Sequence, residues 1–376
     1  MAIYKLGDIV KIKRGDPKLA GKHLKKIQGK YPLIAGTGQN NGIISYINHW
    51  KFKKGITISR VGTAGKVFYH NYKFNINSVA YFLDIISKQN INEKYLFFLL
   101  KTKEQLIISK LSGSAQRHLK SSVLLNISIN IPPLNTQNSI IDIIEPHEEL
   151  FLRHNHLVRI DTIENAEKDI KTLIDIIEPI EQLKNTINKI KLILKKHLIL
   201  IYKLNQSSKE PIKNQIIIKN KKYKNEKFYC PTSLVSELSL NKENLILLDQ
   251  TKKPSRADLT IEDNSFIFSK IIGENKLMIF SKAPNIVFST GFFNIKSKNE
   301  TNDHLLSFLL SNDFIYQKNQ LQTGTLMQSL NKENLNKIFI KKDILYSNNL
   351  FSQLSNLINL EKNINSILKK ILKIFI

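Results

Sequence analysis

The sequence predicts a mixed α/β (α+β) chain made of two similar domains and long coiled-coil helices. Three observations predict it. Ile176, Ile180, Leu183, Ile187, Ile190 and Leu194, continued by His197 and Ile201, stand alternately four and three residues apart. Apolar residues every 3.5 positions keep one stripe of a helix against a partner helix. The same alternation returns in Leu350, Leu354, Leu357, Ile364, Leu368 and Ile371, with Glu361 and Phe375 in step. Finally, a plan of short strand patterns, turns and one amphipathic helix occurs twice. Two seams of equal length predict a stalk with a globular unit at either end.

The 376 residues suit two domains plus a connector, and 42% hydrophobic content can fill both cores. No apolar run of about 18 residues predicts a membrane span, and the opening residues lack the apolar stretch of a secretion signal. A single cysteine, Cys230, excludes an intramolecular disulfide and fits an inert thiol in a reducing cytoplasm. The formal charge of +26 points to a polyanion, nucleic acid above all. Only six arginines stand among 57 basic residues, a bias toward Lys, Asn and Ile that an AT-rich coding sequence also produces. Such a bias does not explain the scarcity of acids.

In order, Tyr4–Val10 is a short opening element and 16–30 a basic loop. Strands are expected at 31–35, 43–47, 55–60, 66–69, 79–85 and 124–131. Gly36 to Gly42 is turn chemistry, since Gly and Asn tolerate positive φ. Asn92 is a candidate cap for a helix over 92–110 with Tyr95, Phe98, Leu99, Thr102 and Leu106 on one face. The plan repeats at an offset of 211, without a gap over about 70 positions: Gly62 with Gly273, Ser78 with Ser289, Phe82 with Phe293, Gly113 with Gly324, Leu119 with Leu330, Ile127 with Ile338. Repetition over such a span means two copies of a whole domain. In the connector, Asp142-Ile143-Ile144-Glu145-Pro146 recurs as Asp175-Ile176-Ile177-Glu178-Pro179. Each proline starts or kinks a helix. The offset pairs the C-terminal helix with 139–165, whereas the seam pairs it with 176–201. Both remain open, with a helix break expected near 159–165.

Catalytic signatures are missing. Gly62 to Lys66 lacks the upstream glycine of a phosphate-binding loop. Ile131-Pro132-Pro133-Leu134 lacks the aromatic of the amino-methyltransferase loop. The nine histidines have no cysteines at zinc spacing, so no metal or other cofactor is expected. Asp84 with Lys88 and Asp263 with Lys270 are loose acid–lysine pairs of a kind that any lysine-rich chain supplies. The chain reads as a non-catalytic binding protein with two recognition heads.

Four stretches resemble the specificity (S) subunits of type I restriction–modification systems. They are Tyr4 to Val10, Ile58 to Val67, Ser112 to Leu119, and Ile129-Asn130-Ile131-Pro132-Pro133-Leu134-Asn135-Thr136-Gln137 leading into a helix. The composition is similar to that of a mycoplasma or another AT-rich bacterium. The resemblance implies two target-recognition domains with twisted sheets, held apart by antiparallel helices in a cyclic, pseudo-twofold arrangement. It implies limits of 1–135 and 209–345 for the domains, with helical regions at 136–208 and 346–376. Each domain would read half of a bipartite DNA target. Two methyltransferase (M) subunits would dock on the helices and restriction (R) subunits would join them. The second copy departs from the pattern, with Met327-Gln328-Ser329 for Gln116-Arg117-His118 and no counterpart of Pro132-Pro133. The rivals are a basic scaffold protein and a stand-alone DNA-modifying enzyme.

On that footing, lysines supply phosphate affinity and loop side chains read base edges. The first-head candidates are Lys22, His23 and Lys25, then Thr37, Gln39 and Asn40, with Arg60 and Lys66 flanking Gly62 and Gly65. Gln116 and Arg117 are the best readers, since Gln matches adenine and Arg guanine in the major groove. The second-head candidates are Lys252, Lys253, Arg256, Lys270, Asn275, Lys276, Thr325 and Gln328. The helix over 176–201 spans roughly 40 Å at about 1.5 Å per residue, close to one DNA turn of about 34–36 Å. It would act as a ruler for the unread spacer. Leu150-Phe151-Leu152 and Leu198-Ile199-Leu200 exceed what one seam uses and fit either protein docking or packing on the domains.

Overall fold

The structure, a computed structural model, describes residues 2–19, 29–86, 89–113, 117–248, 253–271, 273, 275–299, 301–323, 328–342 and 349–374. It divides into two units: Met1–Ile180 with Leu372–Ile376, and Glu181–Ile371.

The first unit opens with β1 (Ala2–Lys5), the short helix α1 (Leu6–Ile9) and β2 (Val10–Arg14). It continues through β3 (Tyr31–Ile34), β4 (Ile43–Ile47), β5 (Gly55–Ser59), β6 (Val67–His70), β7 (Asn75–Ile76) and β8 (Ala80–Ile85). Helices α2 (Glu93–Thr102), α3 (Glu104–Ser109) and α4 (Ser121–Leu125) follow, then β9 (Ser128–Ile131). One antiparallel sheet has the order β2-β8-β5-β6; a second, β4-β3-β7, pairs β3 with β7 in parallel. All five β5 residues are buried, because the strand is central and covered on both faces. α2 packs its Tyr95, Leu96, Phe98 and Leu100 into the core.

Two local expectations change. The helix over 92–110 is two helices meeting at Lys103, and this bend leaves Leu106 43% exposed. The stretch over 124–131 is α4 followed by β9, which pairs antiparallel with β1. Asn92 does cap α2, accepting from the Lys94 amide at 2.9 Å. The fully buried Gln137 explains the Pro-Pro-Leu-Asn-Thr-Gln stretch. Its Oε1 accepts the Asn92 N–H, while its amide nitrogen donates to the Asn90 and Pro132 carbonyls. One side chain thus joins the end of β9 to the starts of α2 and of α5 (Leu134–Ile144).

Beyond α5 the chain forms α6 (Glu148–His154) and α7 (Ile163–Thr172). Thr162 caps α7, and residues 158–161 are non-helical, so the expected break near 159–165 falls at 158–162. Both repeated prolines sit at irregularities: a 3-10 turn at Glu145–His147 and a π segment at Leu173–Ile177. A proline removes one amide and crowds the carbonyl four residues back, which the wider or tighter turn relieves. Helix α8 (Glu178–Leu204) follows.

The second unit holds β10 (Lys209–Pro211), β11 (Ile216–Ile218), β12 (Phe228–Cys230), β13 (Val235–Ser236), β14 (Ser239–Leu240), β15 (Ile246–Leu247) and β16 (Ala257–Leu259). Then come β17 (Ser265–Ser269), β18 (Leu277–Phe280), β19 (Ile286–Ser289) and β20 (Phe292–Ser297). Helices α9 (Asn302–Leu309), α10 (Asn312–Gln320) and α11 (Lys332–Leu335) precede β21 (Phe339–Lys341) and α12 (Leu350–Ile374). Its sheets have the orders β11-β20-β17-β18 and β15-β12-β19-β16. Strand for strand this is the first unit with the β13-β14 hairpin and β16 added, so the duplication is real. It is not gapless. Ile56 pairs with Tyr69 and Leu83, whereas Phe266 pairs with Ile279 and Ile295. The offset is therefore 210 in β5 and β6 and 212 in β8. The Ser78–Ser289 and Phe82–Phe293 matches slip by one place, because the second copy has two extra residues ahead of β20.

Within this unit α8 and α12 run antiparallel. Leu198 and Tyr202 share a buried cluster with Leu350, Phe351 and Leu354, while Lys191, nearer the start of α8, pairs with Glu361 further along α12. The α12 seam is as expected: Leu350, Leu354 and Ile364 are buried and Leu357, Leu368 and Ile371 half-buried. The α8 seam needs correction. Ile187 is buried and Ile180 and Leu194 are half-buried, but Ile176, Leu183 and Ile190 are 41–48% exposed. The inward places go to Ile177, Lys184, Lys191 and Leu198, one residue on. A lysine can occupy such a place because its stem buries while its amine reaches a partner, here Glu361.

Candidate nucleic-acid interface

In the first unit, four loops meet at the Ser59 end of β5. The Thr63 amide and hydroxyl both donate to the Gly36 carbonyl, at 2.9 and 3.1 Å. Arg60 receives and gives in the same way: its amide donates to Val79 O at 2.8 Å, its guanidinium to Ser78 O at 3.3 Å, and its carbonyl accepts from Leu119. Val61 bridges to His118, and His118 to Ser112. The turns at 36–41, 60–66 and 77–79, together with residues 112, 113, 117 and 118, therefore form one surface. Glycine is required where they touch. A Cβ on Gly36 would lie 1.8 Å from the Val61 carbonyl, and Gly62, at φ +84°, would meet Gly36 O at 2.4 Å. These glycines let two loops approach each other.

Among the candidate residues, Gln39, Asn40 and Arg117 are exposed on this surface, and the Thr37 hydroxyl accepts the Gln39 N–H. Asn40 and Asn41 have φ near +48°, as the turn chemistry anticipates. Arg60 is half-buried and committed to the turn. Lys66 is turned toward the protein, its amine 2.9 Å from the buried Glu104. Glu104 also takes Lys101 and the Val67 amide, each at 2.9 Å. Burial alone would raise this carboxyl, but Lys101, the Val67 amide and Lys66 outweigh it and hold it below the ordinary carboxylate value. Lys22, His23, Lys25 and Gln116 lie outside the described residues.

The second unit rebuilds the same junction. Lys270 stands where Arg60 does: its amide donates to Gly291 O, its carbonyl accepts from Leu330, and its amine donates to Thr290 O at 2.8 Å. The amine also lies 4.8 Å from the Phe293 ring centre, and burial lowers its pKa. Ile271 bridges to Ser329 and Ser329 to Thr323. The Arg256 carbonyl accepts the Thr290 N–H, leaving the arginine side chain exposed beside the junction, and Gln328 is exposed there too. Three other candidates face their own domain. Lys253 donates to Ala257 O, Asn275 to Leu309 O, and Lys276 to Thr232 O. Lys252 and Thr325 lie outside the described residues.

Of the loose acid–lysine pairs, Lys88 lies outside the described residues and Lys270 turns to the Thr290 carbonyl. Asp84 pairs with Lys13 at 2.7 Å, and Asp263 accepts the Ala283 N–H. No cluster of metal-ligating side chains occurs among the described residues. No described helix is long and apolar enough to cross a membrane. Sequence reasoning missed the Ser78–Val79 turn, Thr63 and Glu104. The repeat had marked the first through Ser78; nothing marked Glu104, whose partner is 38 positions away in sequence.

Residues 1–165 match the family model described as the type I restriction modification DNA specificity domain. That stretch is similar to a type I DNA specificity domain. The whole four-loop junction lies inside it. The same region is similar to curated proteins of Mycoplasma pneumoniae. One, a putative type I specificity subunit, is 34% identical over 148 residues, covering 39% of this chain and 40% of that protein. Another, the specificity subunit of the type I restriction enzyme MpnII, is 30% identical over 148 residues, covering 39% and 44%. The chain thus spans about two fifths of the length of these relatives. Beyond the specificity domain the likeness is one of fold. A solved structure, described for complex assembly and conformational transition of the type I restriction–modification system, superposes with a TM-score of 0.51 at 11% identity. It covers 100% of this chain and 93% of that one.

Proposed function

We propose that the chain is the DNA specificity subunit of a type I restriction–modification complex, non-catalytic itself. Each unit reads half of a bipartite target through its loop junction. The helices set the spacer and dock two methyltransferase subunits, and restriction subunits join that core. The observation that carries this reading is the repeated junction: the specificity-domain match covers the first, and the second rebuilds it with Lys270 for Arg60. Conserved architecture with different exposed side chains is what two different half-sites require. On this reading residues 1–135 and 209–345 are the recognition domains, 136–208 and 346–376 the helical regions, and the complex works in the cytoplasm. The +26 charge supports a DNA partner.

Reconstitution tests it. The purified chain mixed with a methyltransferase subunit from the same genome should co-elute with it, and the complex should methylate host DNA where neither protein alone does. A methyltransferase with the same activity and sequence preference in the absence of the chain would refute the reading.

A further inference from the structure

The reading junction lies at one end of β5. At the other end, around Gly55, the first unit carries a second basic surface. Two loops form it, 48–54 and 71–74. They are laced together by Phe52 and Phe74, whose backbones exchange hydrogen bonds at 2.9 and 3.0 Å, with a further bond from the Lys51 amide to Phe74 O. Both rings are buried, and Phe52 stacks on Phe82 with centroids 3.9 Å apart. Alternation along the chain then turns their neighbours outward. Lys51 and Lys53 flank Phe52, Lys73 precedes Phe74, and all three are exposed. The Lys73 amine sits 4.8 Å from the centre of the Trp50 ring. Such a contact fixes a cation on an aromatic platform and takes up that ring face, so the tryptophan positions charge rather than stacking on a base. Residues 46–54 and 71–73 contain no acid. Glu93 lies 3.8 Å from Lys54, and among the described residues Lys51, Lys53 and Lys73 make no ion pair. Among the described residues the matching end of the second unit is acidic instead: its β17 is preceded by Glu262 and Asp263, and Glu262 pairs with Lys219, Lys221 and Lys296.

We propose that Lys51, Lys53 and Lys73, organised by Trp50, form a sequence-independent clamp for the phosphates of duplex DNA beside the half-site read by the first unit. The proposal rests on the DNA-reading function and extends it. The clamp supplies affinity on one side of the complex only, so the two half-sites contribute unequally to binding.

Trp50 is the chain's one tryptophan and therefore reports on this surface alone. The test titrates the full chain with a duplex of random sequence at graded salt, following Trp emission and affinity. Trp emission should change on saturation. The K51E/K53E/K73E variant should bind about ten- to a hundredfold more weakly, with the slope of log affinity against log salt reduced by about 2 to 3. The control variant K168E/K171E/K189E carries the same charge change on the helices and should lose much less. Unchanged emission, or equal losses in the two variants, would overturn the clamp. Arg60→Ala, measured in parallel, separates the two ideas. If it alters methylation at one half-site while the clamp variant binds like the control, only the clamp fails. If the clamp variant loses affinity as stated but Arg60→Ala and Lys270→Ala leave sequence preference intact, only the reading junction fails.

Discussion

The Glu104 carboxylate is 4% exposed and holds three donors, two of them from the β6 edge of the reading junction. Its pKa is depressed, so the unfolded chain binds the proton more readily than the folded one. The stability it contributes is complete above its ordinary pKa of 4.5 and is lost as pH falls through the lower folded value. Glu104→Gln should cost about 1–3 kcal/mol, discounted because Lys66 is partly exposed. It should also flatten the acid limb of stability below about pH 4.5. Urea unfolding at a series of pH values measures both. His70 acts higher on the pH scale. It is fully buried between Thr57 Oγ1 at 2.8 Å and the Tyr72 hydroxyl at 3.2 Å, and burial pushes its pKa down to about 4. The unfolded histidine, near 6.5, takes a proton that the folded one refuses, so stability declines as pH falls from 6.5 to 4. The full decline is about 3 kcal/mol. Phe280 occupies the matching place in the second unit, which makes His70→Phe a natural test. Thermal melts at pH 7 and pH 5 should differ less in the variant than in the parent chain.

Among the elements, the helices show where pattern reading succeeds and where packing decides. The four-three alternation located α8 and α12, and every described α12 seam residue it named turns inward at least in part, while Phe375 lies outside the described residues. On α8 two stripes satisfy the same alternation, one through Leu183 and Ile190 and one through Lys184 and Lys191. Hydropathy favours the first; the Glu361 partner of Lys191, 170 positions away, selects the second. Leu198→Ala or Leu354→Ala should therefore destabilise the chain by about 2–4 kcal/mol. Leu183→Ala and Ile190→Ala should change its stability by less than about 0.5 kcal/mol. Chemical denaturation of the four variants checks the assignment. Strands β3, β4, β5, β6 and β8 were legible to within a residue because turns rich in Gly and Asn bound them, whereas the two-residue β7 was not. The bend at Lys103 was not, since 92–110 carries no Pro or Gly to mark it.

At the scale of the molecule, duplication was the most legible feature and its detail the least. Glycines and core residues aligned over about 70 positions, yet the two-residue insertion before β20 is visible only in strand pairing. The candidate loops were found as a class. Which of their cations face outward was decided by distant partners such as Glu104 for Lys66, and the Trp50 surface lies in no motif. The ruler role of α8 belongs at this scale too. Inserting seven residues between Leu183 and Leu194, with a matching insertion in α12, should lengthen the unread spacer and leave both half-sites unchanged. The most direct test of DNA specificity is sequencing of methylated bases in the host genome with and without this gene. A bipartite motif with an unread spacer should be methylated only when the gene is present, and Arg60→Ala and Lys270→Ala should each relax a different half of it. An identical set of methylated motifs in both strains would contradict the account.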